Sequence, residues 1–121
     1  MKLKILPHAL SVCQVGSVKD VDLDAPFVFV GKTEEEVSRV CRTEDCPENT
    51  VSREDGWRGF FVCGVLDFSL TGILAKLAGT LAQAGVPIYA VSTWNTDYIL
   101  VKAERLEKAV RALTEAGYTF V

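Results

Sequence analysis

The second half of the chain predicts an α/β (α+β) two-layer sandwich, and three observations carry that expectation. Two stretches, 73–84 and 106–113, place apolar residues at helical spacing between strands rich in β-branched and aromatic residues. Each is followed by a glycine, Gly85 or Gly117, where a helix would stop. Two strand-like runs, 88–92 and 98–103, are separated only by a short polar segment and should therefore pair antiparallel. With strands at 60–66 and 118–121 the order is β-α-β-β-α-β, the ferredoxin-like split pattern. One apolar stripe per helix, buried against one sheet face, gives two layers.

Taken in order, residues 2–6 and 9–15 read as one bent strand or two short ones, because Pro7 cannot donate to a ladder in mid-strand. Residues 16–26, GSVKDVDLDAP, read as a loop with at most one turn. Residues 27–31 form a strong strand signal and 37–41 a weaker one. The acidic run Glu34–Glu35–Glu36 between them is most simply a solvated turn. From 42 to 58 the composition turns polar, RTEDCPENTVSREDGWR, and marks a boundary, with Val51 and Trp57 as apolar anchors. Residues 60–66 read as a buried strand in which Gly64 suggests close backbone approach. In the helix that follows, Ile73, Leu74, Leu77, Ala78, Leu81 and Ala84 share a face, opposite Lys76, Thr80 and Gln83. Pro87 prevents the helix from resuming after Gly85. Leu106, Ala109, Val110 and Leu113 mark the second helix. The first half can be read as the same order, with its first helix eroded to a loop and its second reduced to a turn at 43–50.

With 121 residues, 49% apolar and 24% charged, the chain can bury one core or two small ones. Its net charge of −3 and scattered Lys/Arg argue against nucleic-acid or anionic-lipid partners. The N-terminus lacks a signal-peptide pattern, and no apolar run has the roughly 18 residues of a membrane span, so a cytoplasmic protein is expected. Cys13, Cys41, Cys46 and Cys63 form no CxxC pair, and the single His8 completes no zinc signature. Cys13 and Cys63 fall in apolar strand-like runs and read as buried structural thiols. Cys41 and Cys46 flank a polar loop, a setting that allows exposure, with no activating neighbour in sequence.

Two loops could hold a small ligand. In the first, 67–72, a strand hands over to a helix whose N-terminal N–H groups and dipole receive a carboxylate or phosphate. Ser69 or Thr71 can cap that helix, and Gly72 leaves room for a ligand near the backbone. The second, 93–97, emerges at the same sheet end in the split topology and brings the Asp97 carboxylate near the helix N-terminus. An anion acceptor beside a carboxylate suits an α-amino acid zwitterion, and charged hydrogen bonds of about 1.5–3 kcal/mol each suit sensing at micromolar to millimolar levels. A structural reading fits the same residues: Asp97 caps a turn and Trp94 covers an apolar edge. Catalysis finds little support. His8 has no nucleophile partner, no Ser lies in a nucleophile elbow, and there is no phosphate-binding glycine loop. Asp67 and Asp97 lie in loops that read as solvated. No Arg follows the strong strand as an acylphosphatase would need, and the aromatic–basic signature of RNA-binding strands is missing.

Residues 67–110, DFSLTGILAKLAGTLAQAGVPIYAVSTWNTDYILVKAERLEKAV, resemble an ACT domain, the amino-acid-sensing module of aspartate kinases and related enzymes. The more specific of the carrying motifs is the strand–turn–strand IYAVSTWNTDYILV. The chain is also similar to small stand-alone bacterial proteins with two ACT-like units and to the CASTOR amino-acid sensors. KLKILPHALSVCQV and FVFVGKT in the first half match more loosely. The resemblance implies a degenerate ACT-like unit over 1–56 and an ACT domain over 57–121. It implies a non-catalytic regulator without a cofactor or metal, binding a small amino acid at an interface between ACT units. The candidate ligand-binding positions it implies are Asp67, Phe68, Ser69, Leu70, Thr71, Gly72 and Ile73, with Ser92, Thr93, Trp94, Asn95, Thr96 and Asp97. Asp97 would meet the ligand's cationic group and backbone around 70–73 its carboxylate. A composite pocket would need a homodimer, and a regulated enzyme is the implied partner. The alternative is an ACT-like module that binds no ligand and docks to an enzyme or regulator.

Overall fold

Strand and helix boundaries in the computed structural model, which describes residues 1–67 and 71–121, follow from where apolar residues alternate and where glycine breaks the pattern. The strands are β1 (Lys2–Ile5), β2 (Leu10–Val15), β3 (Val28–Lys32), β4 (Val37–Arg42), β5 (Ser52–Val62), β6 (Tyr89–Ser92), β7 (Asp97–Lys102) and β8 (Thr119–Phe120). The helices are α1 (Ile73–Gln83) and α2 (Leu106–Glu115), with short 3-10 turns at Val18–Asp20, Thr43–Asp45 and Ala103–Arg105. The chain divides into two compact units. One comprises residues 1–7 and 58–121, the other residues 8–57.

In the unit of residues 1–7 and 58–121, β6 pairs with β7 and β7 with β5. β5 pairs antiparallel with β1, which pairs parallel with β8. The β-α-β-β-α-β order is present as a ferredoxin-like arrangement, with one addition that periodicity did not suggest. β1 inserts between β5 and β8, with Leu3 opposite Val62 and Phe120. Leu3 is fully buried there with Phe60, Val62, Ile99 and Val101 from the sheet, Leu77 and Leu81 from α1, and Ala109 and Leu113 from α2. Burying a leucine of this kind contributes about 1.5–3 kcal/mol. Both helices end in the same way. Gly85 and Gly117 take positive φ (75° and 102°), and Val86 and Tyr118 donate back to the carbonyls of Leu81 and Leu113. These two residues, 3% and 7% exposed, tuck under the helix ends and join the core.

In the unit of residues 8–57, β3, β4, β2 and the first half of β5 lie side by side, each pair antiparallel. The polar stretch 42–58 contains the start of a strand, and the two units divide within it, after Trp57. β5 begins at Ser52, and residues 63–66 lie beyond its end. Side chains 52–56 are exposed, so no apolar alternation announces the strand. Its backbone pairs with β2 instead, Gln14 facing Ser52 and Leu10 facing Trp57, with a bulge between Leu10 and Val12. The Ser11 hydroxyl donates to Asp55 Oδ1 at 2.5 Å, and Arg53 Nε donates to the same oxygen at 2.8 Å. Val51, expected as an anchor, is 64% exposed. Gly64 needs its freedom for a φ of 90°, since a Cβ there would meet nothing within 4 Å. After β4, Arg42 bonds Asp45 Oδ2 at 2.6 Å and holds that carboxyl below the usual carboxylate range.

Candidate functional site

Two backbone-level contacts tie the loops singled out from the sequence into one structure. The Leu66 N–H donates to the Asn95 carbonyl at 2.7 Å, and the Thr96 hydroxyl donates to the Val62 carbonyl at 2.6 Å. The segment leaving β5 is thereby fastened to the β6–β7 turn. A cleft of about 260 Å³ lies between them, bounded by Leu66, Asp67, the first turn of α1 from Gly72 to Ala75, and Ser92 through Asp97. Of the thirteen candidate residues, nine line this cleft: Asp67, Gly72, Ile73 and Ser92 to Asp97. Thr71 lines an adjoining hollow of about 200 Å³ with Gly72, Ile73, Lys76 and Tyr118. Phe68, Ser69 and Leu70 lie outside the described residues.

The helix entrance departs from expectation. The N-cap of α1 is Gly72 at φ 78° with no side-chain cap bond, so Thr71 does not serve as N-cap, and Ser69 lies outside the described residues. A side chain on residue 72 would be strained in this left-handed conformation. The first-turn N–H groups have no intrahelical partners and carry the positive end of the helix dipole. The residues that carry them line the cleft.

The turn is rigid for a local reason. The Thr93 N–H donates to the Thr96 carbonyl at 2.9 Å, and Thr93 Oγ1 donates to that carbonyl at 3.0 Å while accepting from the Thr96 N–H at 3.3 Å. Asp97 is the first residue of β7 rather than part of the turn. It faces Ser92 across the β6–β7 ladder and accepts from the Ser92 hydroxyl through Oδ1 at 2.6 Å. Ser92 thus orients the carboxylate. Thr96 has another task. At 5% exposure its hydroxyl is spent on Val62, so it positions the turn. Thr96→Val should cost about 1–3 kcal/mol by leaving a buried carbonyl unsatisfied. Urea unfolding measures it, and a loss under about 0.5 kcal/mol would mean the bond does not hold the turn. Trp94 at the turn's tip is 77% exposed. Among the described residues no group of His, Cys, Asp or Glu side chains could hold a metal ion. No helix among them is long and apolar enough to cross a membrane.

A family model described as an ACT domain matches residues 52–115, which contain β5, α1, β6, β7, α2 and all the residues that line the cleft. The chain belongs to the ACT-domain family. Among solved structures, an Agobacterium tumefaciens protein is 29% identical, with 99% of this chain and 91% of that one covered at a TM-score of 0.87. A Vibrio cholerae protein described as of unknown function, a possible transport protein, is 18% identical over 92% of this chain and 85% of its own, with a TM-score of 0.69. The ligand-free regulatory subunit of aspartate kinase from Thermus thermophilus is 12% identical over 95% and 96%, with a TM-score of 0.66. The last two likenesses are of fold. No curated protein sequence matches the chain. The expected ferredoxin-like ACT fold is therefore the fold of this protein.

Proposed function

We propose that this ACT protein is a non-catalytic regulator that binds a small amino acid in the 260 Å³ cleft, at an interface between ACT units in a homodimer. The observation that carries the reading is the Leu66–Asn95 bond, because it sets the α1 N-terminus and the Asp97 carboxylate on one cleft. The N–H groups suit the ligand's carboxylate and Asp97 its ammonium group. The volume is below the roughly 300–1,000 Å³ of pockets for drug-sized ligands, which favours a small zwitterion. The thirteen positions 67–73 and 92–97 remain the proposed site, with Thr96 in a supporting role. A partner subunit laid over Trp94 would close the open side.

The organisation that accompanies this reading is a degenerate ACT-like unit in the first half followed by an ACT domain. Support comes from the two hairpins: the Thr33 N–H donates to the Glu36 carbonyl as the Thr93 N–H does to that of Thr96. β4 and β7 then share one burial pattern, and each runs into a 3-10 turn. The exposure of Trp94 favours a second reading, a module that docks to an enzyme or regulator without a ligand. A thermal-shift screen against the proteinogenic amino acids and nucleotides separates the two. A ligand at 100 times its Kd should add about 2.7 kcal/mol. A shift by an amino acid supports the sensor, and no shift by any compound removes it.

A further inference from the structure

In the unit of residues 8–57, three of the four cysteines meet. Cys13 on β2 faces Arg39 on β4, and Cys41 lies two residues further along the same face of β4. Cys13 and Cys41 are 3% and 0% exposed, whereas Cys46, in the segment after the Thr43–Asp45 turn, is half-buried. The Asp45 carbonyl accepts from Arg39 on that face at 3.1 Å, which brings the next residue, Cys46, beside Cys13 and Cys41. The exposure that the polar loop allowed for Cys41 is thus corrected: its side chain is buried on this face. Cys63, expected to be buried, is half-buried in the other unit.

The fourth member is Arg39, whose side chain is 1% exposed. Its Nη2 donates to the Asp45 carbonyl at 3.1 Å, its side chain shares a face of β4 with Cys41, and its Nε has no hydrogen-bond partner among the described residues. A buried cation is costly to keep unless negative charge can form beside it. The Asp45 carboxylate, engaged by Arg42, is one source of such charge, and the thiols are another. Arg53 adds a second guanidinium close to Cys46 and Cys13.

We propose that Cys46, Cys13 and Cys41 form a thiol oxidation site, in which Cys46 is oxidised by a hydroperoxide and then resolved to an intramolecular disulfide by Cys13 or Cys41. The Cys46 thiolate, its proton given to solvent, attacks one peroxide oxygen. The O–O bond breaks, an S–O bond forms, and the departing hydroxide takes up a proton. A buried thiol then loses its proton and attacks Cys46 Sγ, so that S–S forms, S–O breaks and the second oxygen leaves as water. Two sulfurs lose two electrons, the peroxide gains two, and two thiols with one hydrogen peroxide give one disulfide and two waters.

Burial pushes the Cys13 thiol up to about 12 and the Cys41 thiol up to about 11, while Arg39 opposes both rises. The buried thiols therefore stay protonated at neutral pH and await the oxidised Cys46. Arg39 is a positioning residue that stabilises the resolving thiolate.

The test treats the full reduced chain with hydrogen peroxide, alkylates the remaining thiols and maps linked peptides by mass spectrometry. The expected result is loss of two thiols per chain, Cys46 joined to Cys13 or Cys41, with no disulfide to Cys63. Cys46→Ser should abolish the disulfide. In the Cys13→Ala/Cys41→Ala double variant oxidation should stop at a Cys46 sulfenic acid that dimedone captures, and Arg39→Met should make that species accumulate. Four intact thiols, a disulfide involving Cys63, or an intramolecular disulfide in Cys46→Ser would each overturn the proposal. The map of the unsubstituted chain decides even where a buried variant fails to fold.

Discussion

Replacing Asp97 with Asn should weaken binding of whichever amino acid stabilises the protein by about 10- to 100-fold, while the unliganded protein melts almost where it did before. The first half follows from charge. An ammonium group held by a carboxylate gains about 1.5–3 kcal/mol, and each 1.4 kcal/mol is a factor of ten in Kd. The amide keeps an oxygen for the Ser92 hydroxyl, so the cross-strand contact at 2.6 Å survives and only the charge is lost. The second half follows from place. Asp97 is half-buried at a strand end and contributes nothing to the unit's apolar core. Titration calorimetry on the two proteins, beside their thermal melts, reads both halves. Equal affinities would remove the carboxylate from the site, whichever ligand the screen had found.

Leu81→Ala should cost about 2–5 kcal/mol, among the larger losses expected from one side-chain truncation in the unit of residues 1–7 and 58–121. Leu81 is fully buried on α1, packed in the cluster with Leu77, Phe60 and Leu113. Its carbonyl accepts from Val86 and closes the C-terminal motif of the helix, so the backbone around it has little freedom to collapse into the void. Urea unfolding should give a lower midpoint at an unchanged slope. A cost below about 1 kcal/mol would show that α1 is not anchored through this residue. The cleft would change with it, because the N-terminal turn of α1 forms one of its walls.

The second half of the fold was legible because its pattern and its chemistry agree. Helical spacing in 73–84 and 106–113, with Gly85 and Gly117 behind them, gave both helices and their ends to within two residues. The β6–β7 hairpin followed from a polar segment between two β-branched runs. The start of β5 was hidden, since a strand held by backbone pairing with exposed side chains looks like a loop in hydropathy. β1 was recognised as a strand, but its place beside β8 depends on residues over a hundred positions away, which no local pattern encodes. Residue types pointed to the loops that line the cleft without dividing the labour among them. A threonine beside an aspartate reads as a ligand contact, and only the Val62 carbonyl in reach of Thr96 reveals a structural one. The thiol cluster was illegible for a similar reason: Cys13, Cys41 and Cys46 are brought together by strand register, not by spacing.

The pairing of Lys2 with Thr119 and of Leu3 with Phe120 has a kinetic consequence. Contacts between residues so far apart in sequence are the slowest to form, because the loop they close costs most entropy before it is repaid. During synthesis β1 emerges before both of its neighbours, and one of them cannot exist until residue 120 has been made. Until then its ladder on that side is open to any other strand in the vicinity. The core around Leu3 is thus closed late, and nascent chains of this protein run their greatest risk of mispairing along that edge.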